Sequence, residues 1–498
     1  MAAVSELLTS PWALPIGLSL LVFYACLRAI INWRSLRQFR GPLLAKTSRS
    51  WLFWNSLHAR VNVAQFEALQ QYGSPCRIGP NLLVTDDADL VRHMNAPGSK
   101  WTRSGWYDGV RLDARYDSVF SARDEKLHAD LRAKEIGAYN GRDIDNLEPD
   151  IDSRVVDLID LIATKYSNTV VDLAAITRFF TLDVLSTIAF GRPFGFMAAN
   201  ADLWDYDKLT TQAMLILEWV VNHAGFRWFF QSTLVQALAA PKSTDSRGMG
   251  PMLGFAREAV AERFGPDPKV KKDMLGHFVG KGLSQLRCEV EANLQIVAGS
   301  DSTTTVLRST LYQLAGTPVS YAKLRTEIDT ATSNGSLSHP VATYTEAQKL
   351  PYLTACLWEG LRMYPPLFGL KSKTAPIGGE TFKGVYYPEG TEVGICDDAL
   401  CRNPEIFGHD AHLFRPDRWI LADAETRVKY RRTVDAVFGS GRFMCLGRHI
   451  AMMELHKATV ELIRNFDWQI ADPFKGISST SHNVHIQSNM HMLATPRQ

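Results

Sequence analysis

The sequence predicts a mainly α-helical domain with a small β portion, an α+β fold built as one large unit. Two patterns carry that expectation: helical periodicity runs almost unbroken from about residue 124 to 365, and strand-like alternation is confined to 76–86, 372–396 and the C-terminal stretch. With 498 residues, 46% of them hydrophobic and 10% aromatic, the chain can bury a large core, and disorder is excluded. Its 54 Lys and Arg nearly cancel its 52 Asp and Glu, so no nucleic-acid partner is expected.

Residues 11–27, PWALPIGLSLLVFYACL, carry no charge, and the apolar pattern resumes past Arg28 through Ile30, Ile31 and Trp33. At about 1.5 Å per residue such a helix nears the ~30 Å of a bilayer core. A transmembrane anchor is therefore expected over 11–32, after a short lumenal N-terminus at 1–10. No Lys or Arg precedes the run, which argues against a cleaved signal peptide. Arg28, Arg34, Arg37 and Arg40 follow it and place everything downstream in the cytoplasm. Residues 33–50, with the breaker Arg40-Gly41-Pro42, are expected as a hinge, and 51–498 as the globular domain. Inside that domain 76–86 alternates around Gly79-Pro80 as a hairpin, a proline-free helix spans roughly 284–316, and Tyr364-Pro365-Pro366 ends another.

Seven cysteines stand at 26, 76, 288, 356, 396, 401 and 445, without CxxC pairs, which points away from a disulfide framework and from structural zinc. Cys445 differs from the rest. It sits in the glycine-punctuated run Phe438-Gly439-Ser440-Gly441-Arg442-Phe443-Met444-Cys445-Leu446-Gly447, directly before a helix-compatible segment. Glycines let backbone approach a flat ligand, and a helix start favours negative charge, so the loop can hold a thiolate. Such a thiolate suits an axial ligand to haem iron. An ordinary buried cysteine in a Gly-rich turn is the competing account.

Three further constellations each carry a functional and a bland reading. Glu359 and Arg362 share one helix face at i, i+3, as surface ion pairs also do. Ala298-Gly299-Ser300-Asp301-Ser302-Thr303 weakens its own helix, since a mid-helix glycine costs about 1 kcal/mol and hydroxyls compete for backbone bonds, unless it is merely a solvated stripe. His128 and Arg132, at i and i+4, can grip a carboxylate or simply form a charged face.

Taken together, these motifs resemble the cytochrome P450 family. Phe438, Gly441, Cys445 and Gly447 match its cysteine-ligand loop FxxGxRxCxG, but Phe443 takes the usual arginine position and Arg442 stands one place early. Residues 298–303 are similar to [AG]GxDT[TS], with Ser302 in place of threonine; 359–362 to ExxR; 414–419, FRPDRW, to the PERF-type segment; and 128–132 to WxxxR, with His128 for tryptophan. Pro388-Glu389-Gly390-Thr391 falls in the family's order as well. The anchor and the C-terminal half look like microsomal fungal members, in particular the pisatin demethylase-like group.

The resemblance implies a cytochrome P450 fold with haem b between the 284–316 helix and the Cys445 loop. Cys445 is implied as the axial iron ligand, Phe438, Gly441, Gly447 and Gly299 as neighbours of the cofactor, and His128, Arg132 and Arg442 as contacts to its carboxylates. Asp301, Ser302 and Thr303 would feed protons to bound O2, while Glu359, Arg362 and Arg418 form a buried network holding the pocket. The implied reaction is monooxygenation, with one oxygen atom entering a small apolar organic substrate of fungal secondary metabolism and the other leaving as water. No dinucleotide fingerprint is present, so electrons must come from another protein, which the resemblance implies is NADPH–cytochrome P450 reductase, docking on the Cys445 side near Arg442 and Arg448. The microsomal likeness implies a single-pass protein of the endoplasmic reticulum membrane, with lipid as a partner. Candidate pocket aromatics are Trp101, Trp106, Tyr107, residues 219–230 and 367–370. A thiolate-haem isomerase or dehydratase needing no reductase, or a non-catalytic haem-binding sensor, are the alternatives.

Overall fold

Six helices set the architecture, and each begins or ends where its sequence says it must. A computed structural model of the chain describes residues 33–497 apart from 114, 115, 143, 270 and 368, together with residues 15–17, 19, 23, 27, 30 and 31. Helix α1 (Glu125–Tyr139) starts at Asp124, whose carboxylate accepts the Leu127 N–H at 2.7 Å. Next come α2 (Leu173–Phe190) and α3 (Tyr206–Asn222). The longest, α4 (Gln285–Ala315), runs 31 residues and is capped by Ser284. Helix α5 (Pro351–Met363) has proline at its first position and is stopped by Pro365-Pro366, and α6 (Arg448–Asn465) starts just past Gly447.

Helix α2 is the one described helix long and apolar enough to cross a membrane, but 94% of that window is buried in the fold. It lies along α4, and α5 flanks α4 as well. Two missing side chains allow this closeness. A Cβ on Gly299 of α4 would stand 2.9 Å from Leu185 Cδ1 of α2, and one on Gly360 of α5 would stand 1.9 Å from Thr310 Oγ1 of α4. Overpacking a buried contact costs about 1–3 kcal/mol. Gly360→Ala is therefore expected to destabilise the fold by that amount, read as a lowered denaturation midpoint with an unchanged slope.

The sheets are small and peripheral. Strands β1 (Cys76–Gly79), β2 (Leu82–Thr85), β3 (Thr102–Arg103), β5 (Lys373–Thr374) and β8 (Glu392–Ile395) form one sheet in the order β1-β2-β8-β5-β3, with only the β2–β8 pair parallel. A second sheet joins β4 (Val170–Asp172), β12 (His491–Pro496) and β9 (Phe466–Ile470). Two hairpins, β6 (Glu380–Phe382) with β7 (Val385–Tyr387) and β10 (Ser478–Ser481) with β11 (His485–Ser488), complete the set. The mainly helical expectation and the three strand regions agree with this layout. Strand β4 escaped the sequence reading because three residues between two helices carry no measurable alternation.

The segment expected as a hinge is docked. Leu36 and Phe39 are buried, the Arg77 N–H donates to Arg40 O at 2.8 Å, and a Cβ on Gly41 would lie 2.0 Å from Arg77 O. The anchor expected over 11–32 falls for the most part outside the described residues; of it, Ile16, Phe23, Leu27, Ile30 and Ile31 are described and exposed.

Candidate functional site

The loop before α6 is shaped by backbone that only glycine adopts cheaply. Gly439 and Gly441 have φ of 81° and 57°, and a Cβ on Gly441 would sit 2.2 Å from Asn95 O. The turn closes when the Cys445 N–H donates to Phe438 O at 2.6 Å. Of the described cysteines, Cys445 alone is exposed, and the other five are buried. Yet burial pushes its thiol pKa up, against the backbone N–H groups of Gly447 and Arg448 and the charges of Arg132 and Arg448. A side chain that is accessible and yet desolvated opens into an internal gap, not onto the outer surface.

Helix α4 supplies the opposite wall. Residues four apart share a helix face, and Leu294, Ala298 and Ser302 are spaced that way. Leu294 packs with Val119 and Leu131 in an apolar cluster that Leu446, beside Cys445, also touches. One turn further on Ala298 is exposed, and two turns on Ser302 is half-buried. The helix stays continuous here because its hydroxyls bond backward: Ser300 Oγ to Ile296 O at 3.0 Å, Ser302 Oγ to Ala298 O at 2.8 Å. Asp301 faces another way, with Oδ1 3.3 Å from Arg178 Nε of α2, and Arg178 is shared with Asp207 of α3. Thr303 is buried. The Cβ direction of Gly299 is taken by Leu185 of α2.

Beside the gap lies a nest of cations around Phe443. Lys373 Nζ sits 3.2 Å from that ring's centroid, Arg103 4.5 Å and Arg442 4.9 Å, and the His128 ring is 4.9 Å away. Lys373 is 1% exposed, and neither its Nζ nor Arg103 Nε has a hydrogen-bond partner. Arg132 Nη1 donates to Met444 O at 2.6 Å. Burial followed by Arg103 pushes the His128 imidazole down to about 3, so it stays neutral, and the same two causes push Lys373 down to about 6. Arg442 is less available than expected: it lies 3.3 Å from Glu125 and donates to Ser99 O and Trp101 O. Arg448 is likewise held, 2.7 Å from Asp435.

Buried charge without a partner is costly, so this nest calls for an anionic ligand. A haem fits: its two carboxylates would take the orphaned donors of Lys373 and Arg103 with Arg132 and Arg442, and Cys445 would face its iron. Lys373 and Arg103 escaped the sequence reading, because a cation in a two-residue strand looks like a solvated one. The only available signal was position, opposite the Cys445 loop in the fold. Lys373→Met is expected to weaken haem retention by about 2–5 kcal/mol, measured as the rate of haem loss. The sign for the haem-free protein follows from linkage. Lys373 has a lowered folded pKa, so it costs stability below about 6, and that cost fades as pH rises towards the unfolded value of 10.5. Wild type minus Lys373→Met should therefore show stability rising with pH across that window.

Behind the loop, Glu359, Arg362 and Arg418 meet in a fully enclosed network. Arg362 binds Glu359 through two bonds of 2.8 and 2.7 Å, Arg418 Nε reaches Glu359 Oε1 at 3.0 Å, and Trp419 Nε1 reaches Oε2 at 2.9 Å. Arg362 also donates to Cys401 O, at the end of the helix Asp397–Cys401, and to Ala411 O and Leu413 O of one loop, tying both segments to α5. Of the candidate pocket aromatics, Trp101 is fully buried and bound to Glu380, hence core; Trp106 and Tyr107 pack on Phe120 near the gap; Phe368 lies outside the described residues.

A family model described as Cytochrome P450 matches residues 49–491. Among curated proteins, the cytochrome P450 monooxygenase ABA1 of Pyricularia oryzae is 40% identical over 510 residues, covering 99% of each chain. The cytochrome P450 monooxygenase aba1 of Botryotinia fuckeliana is 36% identical over 463 residues, 91% of each. Among solved structures, the cytochrome P450DA heme domain superposes with a TM-score of 0.74 at 18% identity, covering 92% of this chain and 98% of that one.

Proposed function

The chain belongs to the cytochrome P450 family, and on that premise we propose that it is a membrane-anchored monooxygenase whose haem iron takes its thiolate from Cys445. Family membership carries the haem, the cysteine thiolate, dioxygen, an organic substrate and a redox partner. The observation that carries the residue assignment is the desolvated but accessible Cys445 facing the Leu294–Ala298–Ser302 side of α4 next to unneutralised cations.

When bound, the haem supplies the reductive activation of dioxygen, one atom passing to substrate and the other to water. The chain's own residues do the rest. N–H groups of Gly447 and Arg448, with the start of α6, hold negative charge on the Cys445 sulfur. Lys373, Arg103, Arg132 and Arg442 bind and orient the cofactor carboxylates, with neutral His128 packed on Phe443. Asp301 is held by Arg178, and Ser302, its Oγ bonded back to Ala298 O, lies on the side of α4 that faces the gap. Trp106, Tyr107 and Phe120, packed beside Leu370 and Val221, favour a small apolar substrate and exclude water from it. The fungal relatives favour a role in secondary-metabolite biosynthesis.

The membrane reading draws on an apolar face as well as on the N-terminal run. Leu43 (81% exposed), Trp54, Trp228 (79%), Leu234 and Leu238 are unburied, and Phe53 stacks on Phe226 at 6.0 Å, which joins the helices Ser50–Leu57 and Ala224–Phe230 on one side. A face of that kind suits the interface of the endoplasmic reticulum membrane. The reductase would dock over Arg431, Arg448 and His449, which border a cavity of about 340 Å³ beside the Cys445 loop.

The test is reconstitution of the full chain with NADPH–cytochrome P450 reductase, NADPH and labelled dioxygen over a panel of apolar metabolites. Label in an NADPH-dependent product is expected. Product without NADPH would favour an isomerase, and haem binding without turnover a sensor.

A further inference from the structure

Two hydrogen-bond donors stand unused in the wall that Trp106, Tyr107 and Phe120 form. Trp106 and Asn483 are 3% and 7% exposed, and neither Trp106 Nε1 nor Asn483 Nδ2 has a hydrogen-bond partner. Far apart in sequence, they meet at Gly369, in the stretch that follows α5. A Cβ there would stand 2.6 Å from Trp106 Cζ2, beside the ring carbon that carries Nε1. The same Cβ would stand 3.1 Å from Asn483 Oδ1, which shares its carbon with Nδ2. The missing side chain of Gly369 therefore lets the indole and the amide close on one place. Val221 of α3 and Leu370 pack in the same apolar cluster as Trp106.

The turn between β10 and β11 is pinned so that Asn483 stays there. Its φ is 63°, in the left-handed region that asparagine enters more readily than most residues. On one side Val484 pairs with Leu367, just before Gly369; on the other the Ser481 N–H donates to Ala59 O at 3.1 Å. Between them the His482 Nδ1–H donates to Glu218 Oε2 of α3 at 2.8 Å, and Glu218 is 0% exposed. That carboxylate also has Ser56 and the Asn483 N–H as neighbours.

A buried donor without an acceptor has lost its bonds to water and gained nothing, so native cores rarely keep one. Two that converge call for a shared acceptor, and a carbonyl oxygen, with two lone pairs and no hydrogen of its own, supplies it. Glu218 beside the turn disfavours a second carboxylate. We propose that Trp106 Nε1–H and Asn483 Nδ2–H bind a neutral carbonyl oxygen of the substrate, with Glu218 and His482 as positioning residues. The substrate is then an apolar skeleton that already bears a keto or ester group. This rests on the reading of the Trp106, Tyr107 and Phe120 wall as the substrate pocket. A hydrocarbon of the same shape leaves both donors unpaired and is rejected on that account.

The experiment uses the full-length holoenzyme with menthone and p-menthane, which share one skeleton and differ by one carbonyl. Menthone is expected to bind about tenfold tighter. The carbonyl stretch of bound, isotope-labelled menthone should lie at lower frequency than in hexane. Trp106→Phe removes one donor, and Asn483→Asp replaces the other with an acceptor while suiting the same backbone. In both, the preference for menthone should fall and the stretch should return towards its value in hexane. Equal affinities in wild type, no band of bound ketone, or a preference unchanged in both variants would overturn the proposal. So would tighter binding of the corresponding carboxylate than of menthone. If Trp106→Phe does not accumulate, Asn483→Asp decides it. A chain that takes up no haem would sink the function reading, while the infrared arm, which needs no haem, still tests this one.

Discussion

Cys445→Ser is expected to abolish monooxygenation and the thiolate-type carbon-monoxide difference spectrum while leaving the fold in place. Cys445 is exposed to the gap and adds no side chain to the core, and its structural bond to Phe438 O comes from the backbone N–H, which serine keeps. The alcohol is isosteric but does not ionise where a thiol does, so the stabilising N–H groups of Gly447 and Arg448 have no anion to hold. Thermal denaturation should move little against wild-type apoprotein. An unchanged difference spectrum would refute the assignment.

Glu359→Ala should do the reverse, destroying the fold without touching the reacting atoms. Its carboxylate accepts from Arg362, Arg418, Trp419 and the Arg415 N–H. Removing it strands two enclosed guanidiniums, a loss of about 3–5 kcal/mol against a total stability of roughly 5–15. The variant is expected to accumulate poorly and to unfold at markedly lower denaturant. Arg362→Lys should fail nearly as badly, since an ammonium does not reproduce the planar fork that reaches Glu359 and three carbonyls at once.

Local chemistry was legible where it is written in one stretch of chain. The glycine-punctuated loop around Cys445 and the Glu359/Arg362 spacing announce themselves, because a turn and a helix face are properties of neighbouring residues. What those residues touch was not legible. The carbonyls of Cys401, Ala411 and Leu413 reach Arg362 from up to 51 positions away. Lys373 and Arg103 arrive on two paired two-residue strands, and their lack of counter-charge exists only after folding. The packing of Gly299 was not legible for the same reason: its neighbour Leu185 is fixed by how α2 crosses α4, which no single-chain pattern encodes. The docking of Arg40-Gly41 onto β1 likewise depends on a strand that begins far downstream of the breaker.

Gly299 touches α2 and Gly360 admits Thr310, so the long central helix is seated in a notch on either flank. A rod seated twice has no room to slide or roll, and its clearance from the sulfur is set once, at folding. Adaptation to guests of different girth must then be borne by the outer segments, such as α3 and its neighbours, and evolution can retune what is admitted without disturbing the reacting centre.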